Sequence, residues 1–154
     1  MELNDLLDPG SVVPNLKVSG KKQALQELSA RSADIVGLPE RRIFEALLER
    51  ERLGTTGVGQ GVAIPHGKFS ELDQIYGVFA RLETPIDFDA IDDQPVDLIF
   101  LLLAPESAGA DHLKALARVS RLLRNQEICS KLRGSDAADA IFAIITEPAE
   151  SHAA

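Results

Sequence analysis

Residues 96–103, VDLIFLLL, include most of the chain's longest apolar run, and Asp97 is their one charged residue. A strand with one solvated face alternates apolar and polar residues, whereas a strand covered on both faces is apolar almost throughout. This stretch therefore predicts a central strand buried between two layers. Shorter β-rich runs predict further strands at 62–64 and 75–82, and an edge strand at 86–88.

Two helices are predicted before this strand. Apolar residues at helical spacing occupy 21–36 and 39–53, and Gly37 and Gly54 stand where each pattern ends. Glycine is common just after a helix because it adopts the left-handed conformation without strain. We therefore expect both helices to end at these glycines.

Three helices are predicted after the strand. Asp111 is the expected N-cap of the first, and a second, at 127–133, is expected to end at Gly134. Ser135 is expected to cap the last helix, which runs to residue 145. The apolar face of the first of these helices is predicted to consist of Leu113, Leu116, Ala117 and Leu123.

Helices interleaved with strands predict a single α/β domain over 1–146, in which helices cover both faces of a mixed sheet. A flexible tail is expected at 147–154. The chain has 154 residues, which suits one domain of ordinary size.

Composition excludes several classes of function. The formal net charge of −8 argues against a nucleic-acid-binding surface. No apolar run approaches the roughly 20 residues of a membrane span, the first residues lack a signal-peptide pattern, and Cys129 is the only cysteine. We therefore expect a soluble cytoplasmic protein without stable membrane insertion. Residues 71–97 hold eight acids and one base, which suits either a solubilising surface or a docking patch for a basic partner.

The chemistry is predicted to lie in residues 54–68, GTTGVGQGVAIPHGK, which hold five of the 11 glycines and one of the three histidines. A dinucleotide-binding loop would lead from a strand into a helix, and a Walker A loop would end in Gly-Lys-Ser/Thr. Neither pattern fits, because this stretch leads from a helix into a strand and Lys68 is followed by Phe69. His66 and His112 lack metal-site spacing, and we expect neither metal nor cofactor.

His66 fits the requirements of a phosphoryl-accepting nucleophile. A neutral imidazole can attack phosphorus, and Pro65 stiffens the approach to it. Arginine stabilises phosphoryl oxygens well, and Arg50 and Arg52 end the preceding helix. The glycines Gly57, Gly59 and Gly61 would let backbone N–H groups approach and cradle the phosphate.

His112 is expected at the N-terminus of the helix that follows the central strand. Helix N-termini attract anions, and the strand would bring His112 to the carboxyl edge of the sheet, beside His66. On this interpretation, both histidines belong to one site.

These residues resemble the type-2 EIIA domains of the phosphoenolpyruvate-dependent phosphotransferase system, the mannitol/fructose class. The resemblance rests on GTTGVGQGVAIPHGK and on DHLKALARVSRLL, and it extends from about residue 5 to 146. Among the subfamilies, the chain is most similar to the nitrogen-regulatory one, which GVAIPHGK and the lack of attached EIIB or EIIC modules both favour.

The resemblance implies a mixed five-stranded sheet flanked by helices. It also implies that His66 is phosphorylated through Nε2, that His112 contacts the phosphoryl group or orients His66, and that Arg50 is the active-site arginine. The donor would be a phosphocarrier of the HPr/NPr type, and the targets would be regulated proteins such as a potassium transporter or a sensor kinase. The phosphoryl group on His66 would be transient.

Two alternatives share part of this chemistry. A sugar-specific EIIA component would pass the phosphoryl group on to an EIIB or permease. A histidine phosphatase also forms a phosphohistidine, but it would have an Arg-His-Gly motif near the start of the chain, whereas here the sequence is Pro65-His66-Gly67.

Overall fold

The computed structural model describes residues 2–147, and Met1 and residues 148–154 lie outside the described part. The tail expected at 147–154 therefore falls outside it except for Glu147. In chain order the strands are β1 (Val12–Leu16), β2 (Gly57–Gly59), β3 (Val62–Ala63), β4 (His66–Phe69), β5 (Tyr76–Ile86) and β6 (Val96–Pro105). The helices are α1 (Lys21–Val36), α2 (Glu40–Arg52), α3 (Ala110–Arg124), α4 (Gln126–Arg133) and α5 (Ala138–Thr146). No helix among these is long and apolar enough to cross a membrane.

The strands form one mixed sheet in the order β1-β5-β6-β3-β2, and β4 also pairs with β6. Strands β3 and β4 follow one another along the same side of β6 and both run parallel to it. On the other side, β5 is antiparallel to β6, and β1 is parallel to β5. The six strands confirm the mixed α/β sheet, with one strand more than the five that the family resemblance implies.

Strand β6 is the central strand that its sequence predicts. It pairs on both sides, and every residue from Leu98 to Pro105 is buried. Its alternate residues Leu98, Phe100 and Leu102 pack in the cluster that includes α3, α4 and α5. The residues between them pack against α1 and α2 on the opposite face. The expected helical layers on both faces are therefore confirmed.

The shorter strands differ from the prediction. The prediction of an edge strand at 86–88 is wrong, because Ile86 is the last residue of β5 and pairs with Val96 after an irregularity in the ladder. Strands β1, β2 and β4 were not predicted, since Pro14, the glycines of β2 and Gly67 weaken their strand patterns. Strands β1 and β4 form because the longer strands β5 and β6 provide backbone partners, and β2 forms as the antiparallel partner of β3. Sheet context here outweighs intrinsic preference.

Helix α3 begins two residues earlier than predicted and buries a different face. Gly109 is its N-cap, and Asp111 lies in the first turn. Leu113 is 66% exposed, and of the predicted face only Leu123 is buried. The buried residues also follow a helical spacing, but the first of them is a histidine, so a search for apolar residues did not find this face. They are His112, Ala115, Val119, Leu122 and Leu123.

The ends of α1 and α4 follow the sequence more closely, whereas α2 ends at Arg52 with Leu53 as its C-cap, one residue before Gly54. Gly37 has φ of 75°, the left-handed conformation expected where α1 ends, and Gly134 follows α4 directly. Ser135 is not the cap of α5, which begins at Ala138 after Ala137. The Asn15 side chain donates to the Asp136 carbonyl over 3.3 Å, which ties this segment to β1 before the helix starts.

Candidate functional site

His66 is the first residue of β4, at the point where the chain resumes its pairing with β6. The Leu102 N–H donates to the carbonyl of Pro65 over 3.0 Å, and His66 itself pairs with Leu102. The His66 ring is half-buried, and its Nδ1 lies 2.9 Å from the Ile64 carbonyl oxygen. Since a carbonyl oxygen can only accept, Nδ1 carries the ring proton and the lone pair lies on Nε2.

Arg50 reaches His66 from the last turn of α2. Its Nε donates to His66 Nε2 over 3.2 Å, and its Nη1 donates to the Gly54 carbonyl over 2.9 Å. A guanidinium group has no acceptor, so this contact also requires an unprotonated Nε2. The same nitrogen is therefore nucleophilic and directly beside a positive charge. Within residues 2–147, Arg52, the other sequence candidate, makes no hydrogen bond with His66.

His112 stands beside His66, in the first turn of α3. The centroids of the two rings are 5.5 Å apart and their planes are inclined by 56°. The side chain is buried, and its Nδ1 has no hydrogen-bond partner among the described residues. Buried polar atoms are nearly always paired, so an unpaired ring nitrogen at the edge of a site is compatible with a ligand that completes it.

Both histidines are held in the neutral form. The pKa of His66 is lowered, mainly by burial and further by Arg50 and Lys68, although the Ile64 carbonyl and Glu51 oppose this. The pKa of His112 is also lowered, first by burial and then by His66 and Lys68. A neutral imidazole is the form that can act as a nucleophile near pH 7.

Two neighbours of the site were missed in the sequence. Lys68 is exposed and follows His66 by two residues in β4, so the two side chains lie on the same face of the strand. The period-2 spacing was the sequence signal for this shared face. Glu51, next to Arg50, is also close enough to affect His66 electrostatically, and its burial has no counterpart in the sequence pattern.

The three glycines Gly57, Gly59 and Gly61 form the hairpin of β2 and β3 and approach other parts of the chain. A Cβ on Gly57 would lie 2.9 Å from Ala90. Gly61 has φ of +81°, and a Cβ there would lie 2.5 Å from a nitrogen of Arg133. These contacts within the protein are enough to explain why glycine is needed, even if no ligand binds there. The phosphate-cradling role therefore stays a prediction.

The arrangement suits the acceptance of a phosphoryl group. A lone pair on a half-buried imidazole faces a guanidinium, a second neutral imidazole lies beside it, and Lys68 adds positive charge. Such preformed electrostatics stabilise charge that develops on phosphoryl oxygens. Among residues 2–147, no group of three or more histidine, cysteine or acidic side chains is placed to hold a metal ion.

Comparison with known proteins agrees with this chemistry. Residues 5–147 match the family described as phosphoenolpyruvate-dependent sugar phosphotransferase system, EIIA 2. A nitrogen regulatory protein of Bradyrhizobium diazoefficiens is 61% identical over 96% of this chain and 97% of its own length. One of Escherichia coli is 42% identical over 96% of this chain and 91% of its own length. The crystal structure of nitrogen regulatory protein IIA-Ntr from Neisseria meningitidis superposes with a TM-score of 0.89 at 37% identity, covering 94% of this chain and 99% of that one.

Proposed function

Because the chain belongs to the EIIA type-2 family of the phosphoenolpyruvate-dependent sugar phosphotransferase system, we propose that His66 accepts a phosphoryl group on Nε2 and that the phosphorylation state regulates other proteins. The family makes the chain a phosphotransfer component whose donor is an HPr-like carrier. The observation that carries the assignment to His66 is the pair of contacts that its two ring nitrogens make. Nδ1 is engaged with the Ile64 carbonyl, which leaves the Nε2 lone pair beside Arg50.

In the proposed step, Nε2 of His66 attacks the phosphorus of a phosphohistidine on the carrier. The new N–P bond forms as the bond to the carrier's histidine breaks, and the leaving nitrogen keeps the electron pair. The Nδ1 proton stays on its hydrogen bond to Ile64. The Arg50 Nε–H that had pointed at Nε2 then becomes available to a phosphoryl oxygen, and a ring N–H of His112 provides a second donor.

The regulatory role is proposed from the relatives. Two proteins named nitrogen regulatory proteins match nearly the whole of this chain and at least 91% of their own lengths. Phosphorylation adds about two negative charges at His66, which is enough to weaken one protein interface or favour another. The targets, such as a potassium transporter or a sensor kinase, and a cytoplasmic location belong to the same proposal. The formal activity would be that of a transferase that acts in regulation more than in metabolic turnover.

The test is phosphoryl transfer from phosphoenolpyruvate through an EI-type enzyme and an HPr-like carrier. We expect one acid-labile, base-stable phosphoryl group per chain, absent in His66→Ala and retained in His152→Ala, a control at the third histidine, outside the described residues. Label that persists in His66→Ala would refute the assignment. Adding a purified EIIB domain tests the alternative, because a sugar-uptake component would pass the label on to it.

A further inference from the structure

Glu51 carries a buried carboxylate directly after the arginine that contacts His66. Its side chain is 5% exposed, and Lys21 Nζ, from the first turn of α1, lies 3.0 Å from Oε1. The Lys21 side chain is itself only 19% exposed. Ion pairs this well buried cost desolvation energy, so their presence calls for a reason other than stability.

Both carboxylate oxygens of Glu51 hold the same residue, Thr56. The Thr56 backbone N–H donates to Oε1 over 3.0 Å, and the Thr56 hydroxyl donates to Oε2. Thr56 is 4% exposed. Two bonds from one carboxylate restrict both the backbone and the side chain of Thr56, so the start of the glycine hairpin is anchored to the end of α2.

Thr56 is connected to His66 through two hydrogen bonds, both of which involve backbone groups of Ile64 or Thr56. The Thr56 carbonyl accepts the Ile64 N–H over 3.0 Å, and the Ile64 carbonyl accepts the Nδ1–H of His66 over 2.9 Å. The ion pair between Lys21 and Glu51 is therefore followed by hydrogen bonds that run through Thr56 and Ile64 to the ring. A shift of Thr56 would move the Ile64 carbonyl, and the ring would lose one of the two contacts that keep its proton on Nδ1.

We propose that Glu51 is a positioning residue, which acts through Thr56 and Ile64 to keep the His66 proton on Nδ1 and so leaves Nε2 as the unprotonated nitrogen that accepts the phosphoryl group. The inference rests on the proposed function of His66. It assigns Glu51 no contact with the phosphoryl group. The role depends on the reach of the carboxylate from the backbone, because both oxygens must meet Thr56 at once.

Two substitutions at Glu51 distinguish the effect of side-chain length from the effect of charge. Glu51→Gln keeps the length of the side chain, since the amide oxygen can accept the Thr56 N–H and the amide NH₂ can donate to the Thr56 hydroxyl. Glu51→Asp keeps the charge but shortens the side chain by one methylene. We expect Glu51→Asp to lower the rate of phosphoryl acceptance at least tenfold, toward the roughly 100-fold loss that a misplacement of about 1 Å can cause. The rate of phosphoryl acceptance by Glu51→Gln should stay within about threefold of that of the unsubstituted protein, because the hydrogen bonds to Thr56 are retained.

A spectroscopic measurement on the unphosphorylated protein tests the positioning directly. Nitrogen-15 NMR at about pH 8, where free imidazole is neutral, distinguishes the protonated from the lone-pair nitrogen of His66. We expect the Nδ1–H form in the unsubstituted protein and in Glu51→Gln, and a mixture of both tautomers in Glu51→Asp. Glu45→Asp is the matched control, because Glu45 lies on the same helix in an exposed pair with Arg41.

The outcomes separate the two proposals. If the unsubstituted protein is not labelled on His66, the proposed function fails. If it is labelled and Glu51→Asp leaves both the rate and the tautomer unchanged, the positioning role is refuted. Loss in Glu51→Gln with retention in Glu51→Asp would also refute it, because the carboxylate would then act through its charge. Circular dichroism and a urea midpoint establish that each variant is folded, and Thr56→Val probes the same link should Glu51→Asp not fold.

Discussion

At the scale of single residues, the reactivity of His66 depends on two groups that fix its ring from opposite sides. The Ile64 carbonyl holds the proton on Nδ1, and the Arg50 guanidinium faces the lone pair on Nε2. Burial adds to this by lowering the pKa of His66, with Arg50 and Lys68 contributing in the same direction. The nucleophile is therefore neutral and oriented before any carrier arrives, which lowers the reorganisation needed during transfer.

The lowered pKa predicts the pH profile of phosphoryl acceptance. Only the neutral ring can attack, so the rate should stay near its maximum as the pH falls through 6.5, the ordinary value, and decline only below it. In Arg50→Met, the decline should move to higher pH, because one cause of the lowering is removed, while the maximum rate also falls. The measurement is the initial rate across about pH 5 to 8.

The carrier's own histidine titrates in the same range, so NMR titration of His66 in the isolated protein provides the control. A midpoint at or above 6.5 in the unsubstituted protein would contradict the prediction. A midpoint that does not rise in Arg50→Met would show that the guanidinium has no electrostatic effect on the ring.

At the scale of elements, the close packing of the β2–β3 hairpin explains why these positions are glycine more fully than a bound ligand does. Its backbone passes so close to Ala90 that Gly57 has no room for a side chain, and Gly61 meets the Arg133 side chain. Arg133 in turn donates to the Gln60 carbonyl and to Asp97, which links α4, the hairpin and β6. The glycines therefore allow the hairpin to lie close against its neighbours beside the site.

This packing predicts that Gly57→Ala destabilises the protein by about 1–3 kcal/mol, the usual cost of forcing an extra group into a filled space. Gly10→Ala is the matched control, because a Cβ at Gly10 would meet nothing within 4 Å. It should change the free energy of unfolding by at most about 1 kcal/mol. Urea denaturation measures both.

The same pair tests the phosphate-cradling role. If Gly57→Ala keeps its urea midpoint but accepts the phosphoryl group far more slowly, packing is the wrong explanation and the cradle gains support. If stability falls and the folded fraction is phosphorylated at the ordinary rate, the glycine serves the hairpin alone.

At the scale of the whole molecule, the sheet separates two helical layers, and the site lies where both layers reach its edge. Arg50 comes from α2, which packs on one face, and His112 comes from α3, which packs on the other. His66, on β4, stands between them. The three residues are far apart in the chain, so their meeting depends on the complete fold.

Burying two neutral histidines predicts that stability depends on pH. Both have lowered pKa values in the folded state, so below about 6.5 the unfolded chain binds protons that the folded chain does not. The contribution of the two histidines to the free energy of unfolding should therefore reach its full value above about pH 6.5. It should decrease as the pH falls below about 6.5. Urea midpoints at about pH 7.5 and 5.5 measure the effect.

The double substitution of His66 and His112 by glutamine is the control, and it should flatten this dependence. The exposed carboxyls of Glu71 and Asp92 also have lowered pKa values, but they titrate below 4.5 and leave this window unaffected. A dependence that persists in the double variant would mean that other groups cause it.

The sequence by itself determined the features that depend on local pattern. The apolar run of β6 marks a strand buried on both faces, and Gly37 marks the end of α1, because burial and backbone conformation select residue types directly. The motif around His66 was enough to indicate the family, which the comparisons show.

Only the tertiary structure decided the features that depend on distant partners. Strand β4 forms because β6 pairs with it, and the buried face of α3 begins at His112 because that face meets the sheet beside the site. The position of the proton on His66 follows from a backbone carbonyl, and every residue has one. No choice of side chain at Ile64 encodes that contact, so it follows only from how the folded chain brings the carbonyl to the ring.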